Sequence, residues 1–302
     1  MKFILAGIGK MGKLHYEHLM ERKDVELTCV IDVDEKSLSS IDSKIKKLKN
    51  FKDLNENFDA AIVATPTKHH KEITNYLLEK NINVLVEKPI SDNIESAKSM
   101  VETAKKMNKV LMIGYIERHN PMIKTLMKEI KNEQIESIYT SRWAPRPKRI
   151  MYEGVVLDSM IHDIDIVLQF IGKKVSIEDA VGNLGDDKYP DNAKVVLKND
   201  KNVYAHLFAG WETKERHRTL LLSTEKYIYL GNYIKQTLIK IDKKNNKKTN
   251  IEIIKNETDA INAQITKFKE NIIKKNFYQE SLKSLEIVLD STNQIIKNNQ
   301  NE

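Results

Sequence analysis

The segment Gly7-Ile8-Gly9-Lys10-Met11-Gly12 constrains this chain more than any other part of it. It is a G-x-G-x-x-G set directly after an apolar run, Phe3–Ala6, and directly before an amphipathic stretch at 11–21. In that setting each glycine has a physical task. One makes a tight turn, one lets backbone approach a pyrophosphate, and one packs helix closely on strand. The N–H groups at the start of the helix, at Lys10, Met11 and Gly12, then meet the negative charge. A strand–turn–helix of this kind opens a βαβ unit.

The following sequence continues the unit. Apolar runs at 27–31, 60–64, 83–86 and 110–113 alternate with amphipathic stretches near 35–48, 68–80 and 92–107. Short strands apolar on both faces and separated by helices are what a doubly wound parallel sheet requires. Asp32 ends the second run. A carboxylate there accepts hydrogen bonds from both ribose hydroxyls of a dinucleotide and repels a 2′-phosphate, so NAD is expected over NADP.

Asn120-Pro121 reads as an N-cap followed by proline at the first helical position. Beyond it the pattern changes. Strand-like runs at 135–143, 193–198, 203–211, 219–223, 226–230, 234–241 and 250–254 have short polar connections, which predicts an antiparallel sheet. Helical patterns lie at 154–172, 258–275 and 279–297, and Lys243–Asn250 reads as a solvated hairpin tip. The fold class is therefore α/β followed by α+β. The expected division is 1–120 for dinucleotide binding and 121–302 for a second domain, to which the family resemblance described below gives substrate binding and oligomerisation.

Composition narrows the setting. A chain of 302 residues is about two domains at ~150 residues each. One cysteine, Cys29, excludes a disulfide framework and a multi-thiol metal site and fits a reducing cytoplasm. The N-terminal apolar stretch before Lys10 is not expected to act as a secretory signal, and no run of about 18 apolar residues predicts a membrane span. Net charge is +7. Residues 1–120 carry 20 basic and 18 acidic groups, and the remainder carries 30 and 25. With no nucleic-acid module in the sequence, this surplus reads as background lysine plus a local grip on an anionic substrate.

The fourth apolar run leads straight into Glu87-Lys88-Pro89, and the third ends at Thr65-Pro66 with His70 close behind. Strand C-terminal ends line the ligand crevice of such a sheet. Together with the glycine segment, Asp32, the stretch Gly114–Pro121 and an Asp158-x-x-x-His162 motif, the chain resembles the glucose–fructose oxidoreductase/inositol dehydrogenase (Gfo/Idh/MocA) family. The resemblance covers nearly the whole chain. It implies an N-terminal Rossmann domain and an open C-terminal sheet that commonly packs against its copy in a homodimer or homotetramer. It also carries a cofactor-facing role onto Thr65, Pro66, His70 and Glu87. Onto Lys88 it carries a role facing nicotinamide and substrate, and a cis bond onto Lys88–Pro89.

Residues 154–172 support a site independently of the family. At about 100° per residue, Asp158, His162, Asp165 and Gln169 share an arc of about 60°, while most other positions are apolar. A helix apolar nearly all round is buried, and so is its polar stripe. Oxidising a secondary alcohol needs a base for the hydroxyl proton as hydride departs. His162 suits that task near neutral pH, with Asp158 orienting it. Lys88 then hydrogen-bonds the reacting oxygen and stabilises developing alkoxide charge.

Two basic clusters, Arg142-Trp143-Ala-Pro-Arg146-Pro-Lys148-Arg149 and Lys214-x-Arg216-His217-Arg218, suggest recognition of phosphate, with Trp143 placed to stack on a sugar or base. This pattern, with Arg118, Asn120 and Arg146, is similar to one branch of the family, the UDP-N-acetylglucosamine 3-dehydrogenases. His119 stands where an aromatic residue is more usual in that branch. By that resemblance Arg118, Asn120, Arg146, Lys88, Asp158 and His162 bind a small-molecule nucleotide sugar that is oxidised at C3. The alternatives are an inositol or free-sugar dehydrogenase of the same family and a non-catalytic dinucleotide-sensing regulator.

Overall fold

The computed structural model describes residues 1–147, 154–254, 259–277 and 281–300. In the N-terminal part six strands form one parallel sheet: β1 (Lys2–Ala6), β2 (Glu26–Ile31), β3 (Lys46–Leu48), β4 (Ala60–Val63), β5 (Asn83–Glu87) and β6 (Leu111–Gly114). Their order is β3-β2-β1-β4-β5-β6. β4 and residues 3–5 of β1 have no exposed surface, as strands covered on both faces must. Helices α1 (Lys10–Glu21), α2 (Glu35–Ser39), α3 (His70–Glu79) and α4 (Ile94–Lys106) make the crossovers. The strand order reverses between β1 and β4, and the loop after β1 lies at that switch point.

The helix expected over 35–48 is not formed. Asp34 caps only the short α2, accepting from the Ser37 N–H at 2.9 Å. Lys46–Leu48 instead pairs with Cys29–Ile31 as the edge strand β3. The hydrogen bonds of an edge strand come from a distant neighbour, so local periodicity does not reveal them.

The C-terminal part holds α5 (Pro121–Glu129) and eight strands: β7 (Ile135–Pro145), β8 (Val175–Leu184), β9 (Pro190–Asn199), β10 (Tyr204–Gly210), β11 (Glu212–Thr224), β12 (Tyr227–Asn232), β13 (Thr237–Asp242) and β14 (Lys248–Ile251). They order as β14-β13-β12-β11-β7-β10-β9-β8. Every neighbouring pair is antiparallel except β7 with β10. β8 escaped the sequence reading because Ser176, Glu178, Asp179 and Asn183 interrupt its apolar residues. Between β7 and β8 runs a helix whose first turn, Val156–Met160, is π-helical and continues as α6 (Ile161–Ile171). Of the basic segment at 243–250, residues 243–247 form the expected exposed tip, with Asp242 N–H bonded to Lys247 O at 3.0 Å, while 248–250 belong to β14.

The final helices are α7 (Ala260–Ile273) and α8 (Lys283–Gln300). By packing, one unit comprises Met1–Tyr115 with Ile261–Leu282, and the other Ile116–Ala260 with Lys283–Glu302. A single cut at residue 120 therefore omits the return of α7 to the parallel sheet. Phe268 of α7 meets Phe3 of β1 edge-on, with ring centroids 6.1 Å apart, and both rings are fully buried. Truncating Phe268 to alanine is expected to cost about 3–5 kcal/mol. Denaturant unfolding followed in the N-terminal unit measures it, and a loss below 1 kcal/mol, roughly the cost of an ordinary substitution, would show that α7 is not anchored there.

Candidate active site

In the N-terminal unit the glycine loop takes its shape from three different constraints. Gly7 has φ +93°, and a Cβ there would sit 2.7 Å from the Ala64 carbonyl group. A Cβ on Gly12 would overlap the carbonyl oxygen of Gly7. Gly9 differs, because a Cβ there would meet nothing within 4 Å. Two glycines thus serve the protein's own packing, and the third leaves bare backbone in front of open space. Lys10 and Met11 begin α1, whose N-cap Gly9 supplies no side-chain acceptor, so first-turn N–H groups remain for a ligand. Asp32 fastens the loop: its carboxylate accepts from Ile8 N–H at 2.6 Å and Asp34 N–H at 2.8 Å. Thr65 and Pro66 close the far side, and the buried Thr65 hydroxyl has no hydrogen-bond partner among the described residues. Open backbone, an unfilled hydroxyl and a carboxylate at the strand end fit a dinucleotide.

His70 and Glu87 take supporting places rather than open ones. The His70 ring is buried, with Nε2 2.8 Å from Thr65 O and Nδ1 3.0 Å from Pro89 O. Burial lowers its pKa despite these carbonyls, which favour the protonated ring. Glu87 lies in the core, 2.7 Å from Nε2 of His15. Lys88 is half-buried, and its peptide bond to Pro89 is cis.

In the C-terminal unit the π turn breaks the 100° spacing assumed for the helix. Asp158 lies in that turn and His162 in the first turn of α6, and both are half-buried. π turns interrupt helices frequently at functional sites. Asp165 is buried and paired bidentately with Arg118, Nε–Oδ2 2.7 Å and Nη2–Oδ1 2.6 Å, while Gln169 is exposed. Asn120 caps α5 by accepting from Met122 N–H at 3.0 Å and donates to Glu117 at 3.1 Å. Arg146 forms ion pairs with Asp187 and Asp191. Arg118, Asn120 and Arg146 therefore each hold protein groups. Lys148 and Arg149 lie outside the described residues.

The sequence reading missed the network beneath this helix. Arg142 of β7 is 3% exposed and grips buried Asp163 of α6 through two 2.8 Å bonds, with Glu117 3.2 Å away. Arg218 reaches the same Glu117 oxygen at 3.1 Å. Burial opposes the charge on Arg142, but Asp163 and Glu117 outweigh it and raise its pKa. Burial and the Arg142 charge lower that of Arg218. Strand alternation also splits the first basic cluster. Arg142 faces α6, whereas Trp143 faces the other side of the sheet, against Gly210 of β10. The only signal in sequence was charge at positions where the strand and helix patterns demand burial.

Replacing Arg142 with methionine leaves Asp163 buried without its cation and Glu117 with Arg218 alone, and is expected to cost about 3–5 kcal/mol. Arg142→Met with Asp163→Leu should recover most of that loss in chemical unfolding. Equal losses in both variants would mean that packing, not charge pairing, matters there.

Comparison with known proteins identifies the family. The family model for the oxidoreductase family with an NAD-binding Rossmann fold matches residues 1–115, and that for the GFO/IDH/MocA C-terminal domain matches 131–229. The chain is 29% identical over 219 residues to a myo-inositol 2-dehydrogenase of Thermotoga maritima, covering 66% of this chain and 65% of that one, just under two thirds of the relative's length. It is 23% identical over 240 residues to a UDP-N-acetylglucosamine 3-dehydrogenase of Acidithiobacillus ferrooxidans, covering 79% and 76%. The solved structure of the latter enzyme superposes with a TM-score of 0.86 at 22% identity, covering 98% of this chain and 96% of that chain, a likeness of fold. Among the described residues no helix is long and apolar enough to cross a membrane. With both its halves matched, the chain belongs to the Gfo/Idh/MocA family of oxidoreductases.

Proposed function

We propose that the protein is an NAD-dependent dehydrogenase acting on a secondary hydroxyl of a sugar or polyol in the reducing cytoplasm. Within that class we assign a nucleotide sugar, such as UDP-N-acetylglucosamine oxidised at C3. One observation carries the reading of chemistry. Of the ionisable residues on the 154–171 helix, Asp163 and Asp165 are buried in arginine pairs, and Asp158 and His162 stand on the accessible side. When bound, NAD supplies the hydride acceptor. His162 takes the hydroxyl proton, Asp158 orients its ring, and Lys88 hydrogen-bonds the reacting oxygen. Asp32 selects the unphosphorylated ribose.

A second reading, a free polyol such as an inositol, has one observation in its favour: Arg146 is already neutralised by Asp187 and Asp191. Screening UDP-sugars, inositols and free hexoses with NAD and NADP, by absorbance of the reduced cofactor, separates the two. Turnover only with a diphosphate-bearing sugar is the expected result; turnover with a free inositol alone replaces it by the second reading. With the accepted substrate, His162→Asn should leave NAD binding nearly intact and lower turnover ~10²-fold or more. Undiminished turnover removes His162 from the mechanism.

The same reading includes a homo-oligomer built on the open face of the eight-stranded sheet. Cross-strand register aligns Ile239, Leu230, Leu221, Tyr139, His206 and Val196 in one row on one face. Tyr139 is 42% exposed and stacks on His206, with centroids 4.8 Å apart. An apolar row of this length is what a second copy of the sheet would cover. Sedimentation should find a dimer or tetramer that Tyr139→Asp dissociates, and a monomeric wild-type chain at micromolar concentration would rule this interface out.

A further inference from the structure

One buried carboxylate joins the two parts of the N-terminal unit that handle the cofactor. Glu87 ends β5, directly before Lys88. Its Oε1 lies 2.7 Å from Nε2 of His15, on α1, the helix that opens with the glycine loop. Its Oε2 accepts from the backbone N–H of Lys88 itself at 3.3 Å. His15 has no exposed surface, Glu87 only 6%. The neighbouring strand makes room for the carboxylate, since a Cβ on Gly114, the register partner of Glu87, would sit 2.9 Å from Oε2.

The proton arrangement follows from the surroundings. An ionised carboxylate only accepts, so His15 donates through Nε2. Nδ1 of His15 is buried with no partner among the described residues. The chain beyond Lys88 is held as well, because His70 meets the carbonyls of Pro89 and Ile90 at 3.0 and 3.3 Å. The Lys88 turn is thus fixed on both sides by buried histidines. Of the two, His15 belongs to α1, the helix that opens with the glycine loop.

We propose that His15 is a positioning residue that, through Glu87, locks the Lys88 turn to the pyrophosphate helix, so that cofactor binding at the glycine loop sets the place of Lys88. The inference rests on the role given to Lys88 above, but its readout needs no sugar. Exchange of the Lys88 amide with deuterium reports the bond to Glu87 directly. In the wild-type protein, added NAD should slow that exchange. In His15→Leu it should be about tenfold faster than wild type without NAD and indifferent to NAD, the size expected for losing a hydrogen bond to a charged group. His15→Gln, which keeps an N–H donor, should restore most of the protection. If His15→Leu does not fold, Glu87→Ala serves, because it removes the acceptor of both the His15 and the Lys88 N–H. NAD affinity, read from quenching of intrinsic fluorescence, should change far less than the exchange rate. Equal NAD-induced protection in wild type and His15→Leu, or no rescue by His15→Gln, would overturn the proposal. A wild-type protein that shows the lock yet oxidises no sugar or polyol would instead sink the proposed activity and leave this inference standing.

Discussion

The ion pair between Arg142 and Asp163 ties the central strand of the C-terminal sheet to the helix that carries Asp158 and His162. Both groups are almost completely buried, and removing two charges from water is costly unless their geometry is good and every remaining donor is met. Here the guanidinium meets Asp163 with two bonds and Glu117 with a third. Glu117 in turn takes Arg218 and Asn120. Two arginines and two carboxylates balance, so the core holds fixed dipoles and no net charge. Such a network adds less to stability than apolar packing of the same volume, but it fixes one rotation of the helix. A helix apolar on nearly every side would otherwise have little to choose between neighbouring registers.

That constraint explains why charge on this helix divides as it does. Asp163 and Asp165 point into arginines supplied by β7 and by the segment before α5. The π turn at Val156–Met160 changes the phase before α6 begins, leaving Asp158 and His162 on half-buried surface. Asp165 was read from sequence as belonging to the same stripe as His162, and by spacing it does. What separates the two is Arg118, forty-seven positions away, whose fork matches one carboxylate.

How much was legible in the sequence follows the same division between local and distant causes. The glycine loop, the run into Glu87-Lys88-Pro89 and the cap at Asn120 are local backbone requirements, and these leave residue signatures. The parallel sheet was legible because strands buried on both faces are apolar throughout. The edge strand β3 was not, since its bonds come from β2. Nor was the return of α7, which depends on Phe268 finding Phe3 across most of the chain. His15 was missed and Arg142 was assigned to phosphate for one reason: the partners that define each lie far away in the sequence, and its own element does not reveal them.

Basic residues show the limit of counting charge along a chain. The surplus beyond residue 120 suggested cations waiting for a diphosphate. The fold assigns Arg142 to a buried pair, Arg118 to Asp165 and Arg146 to the carboxylates of β8–β9 and its turn. An arginine already paired recognises phosphate only by exchanging one anion for another, and the net gain is the difference between the two. For Arg146 the competitor is strong, since Asp187 and Asp191 both face it. Burial together with neighbouring acids raises the pKa of Asp191 even against the opposing pull of Arg146. A nucleotide sugar held at Arg146 would have to displace Asp187 and Asp191, a cost that a neutral polyol does not meet.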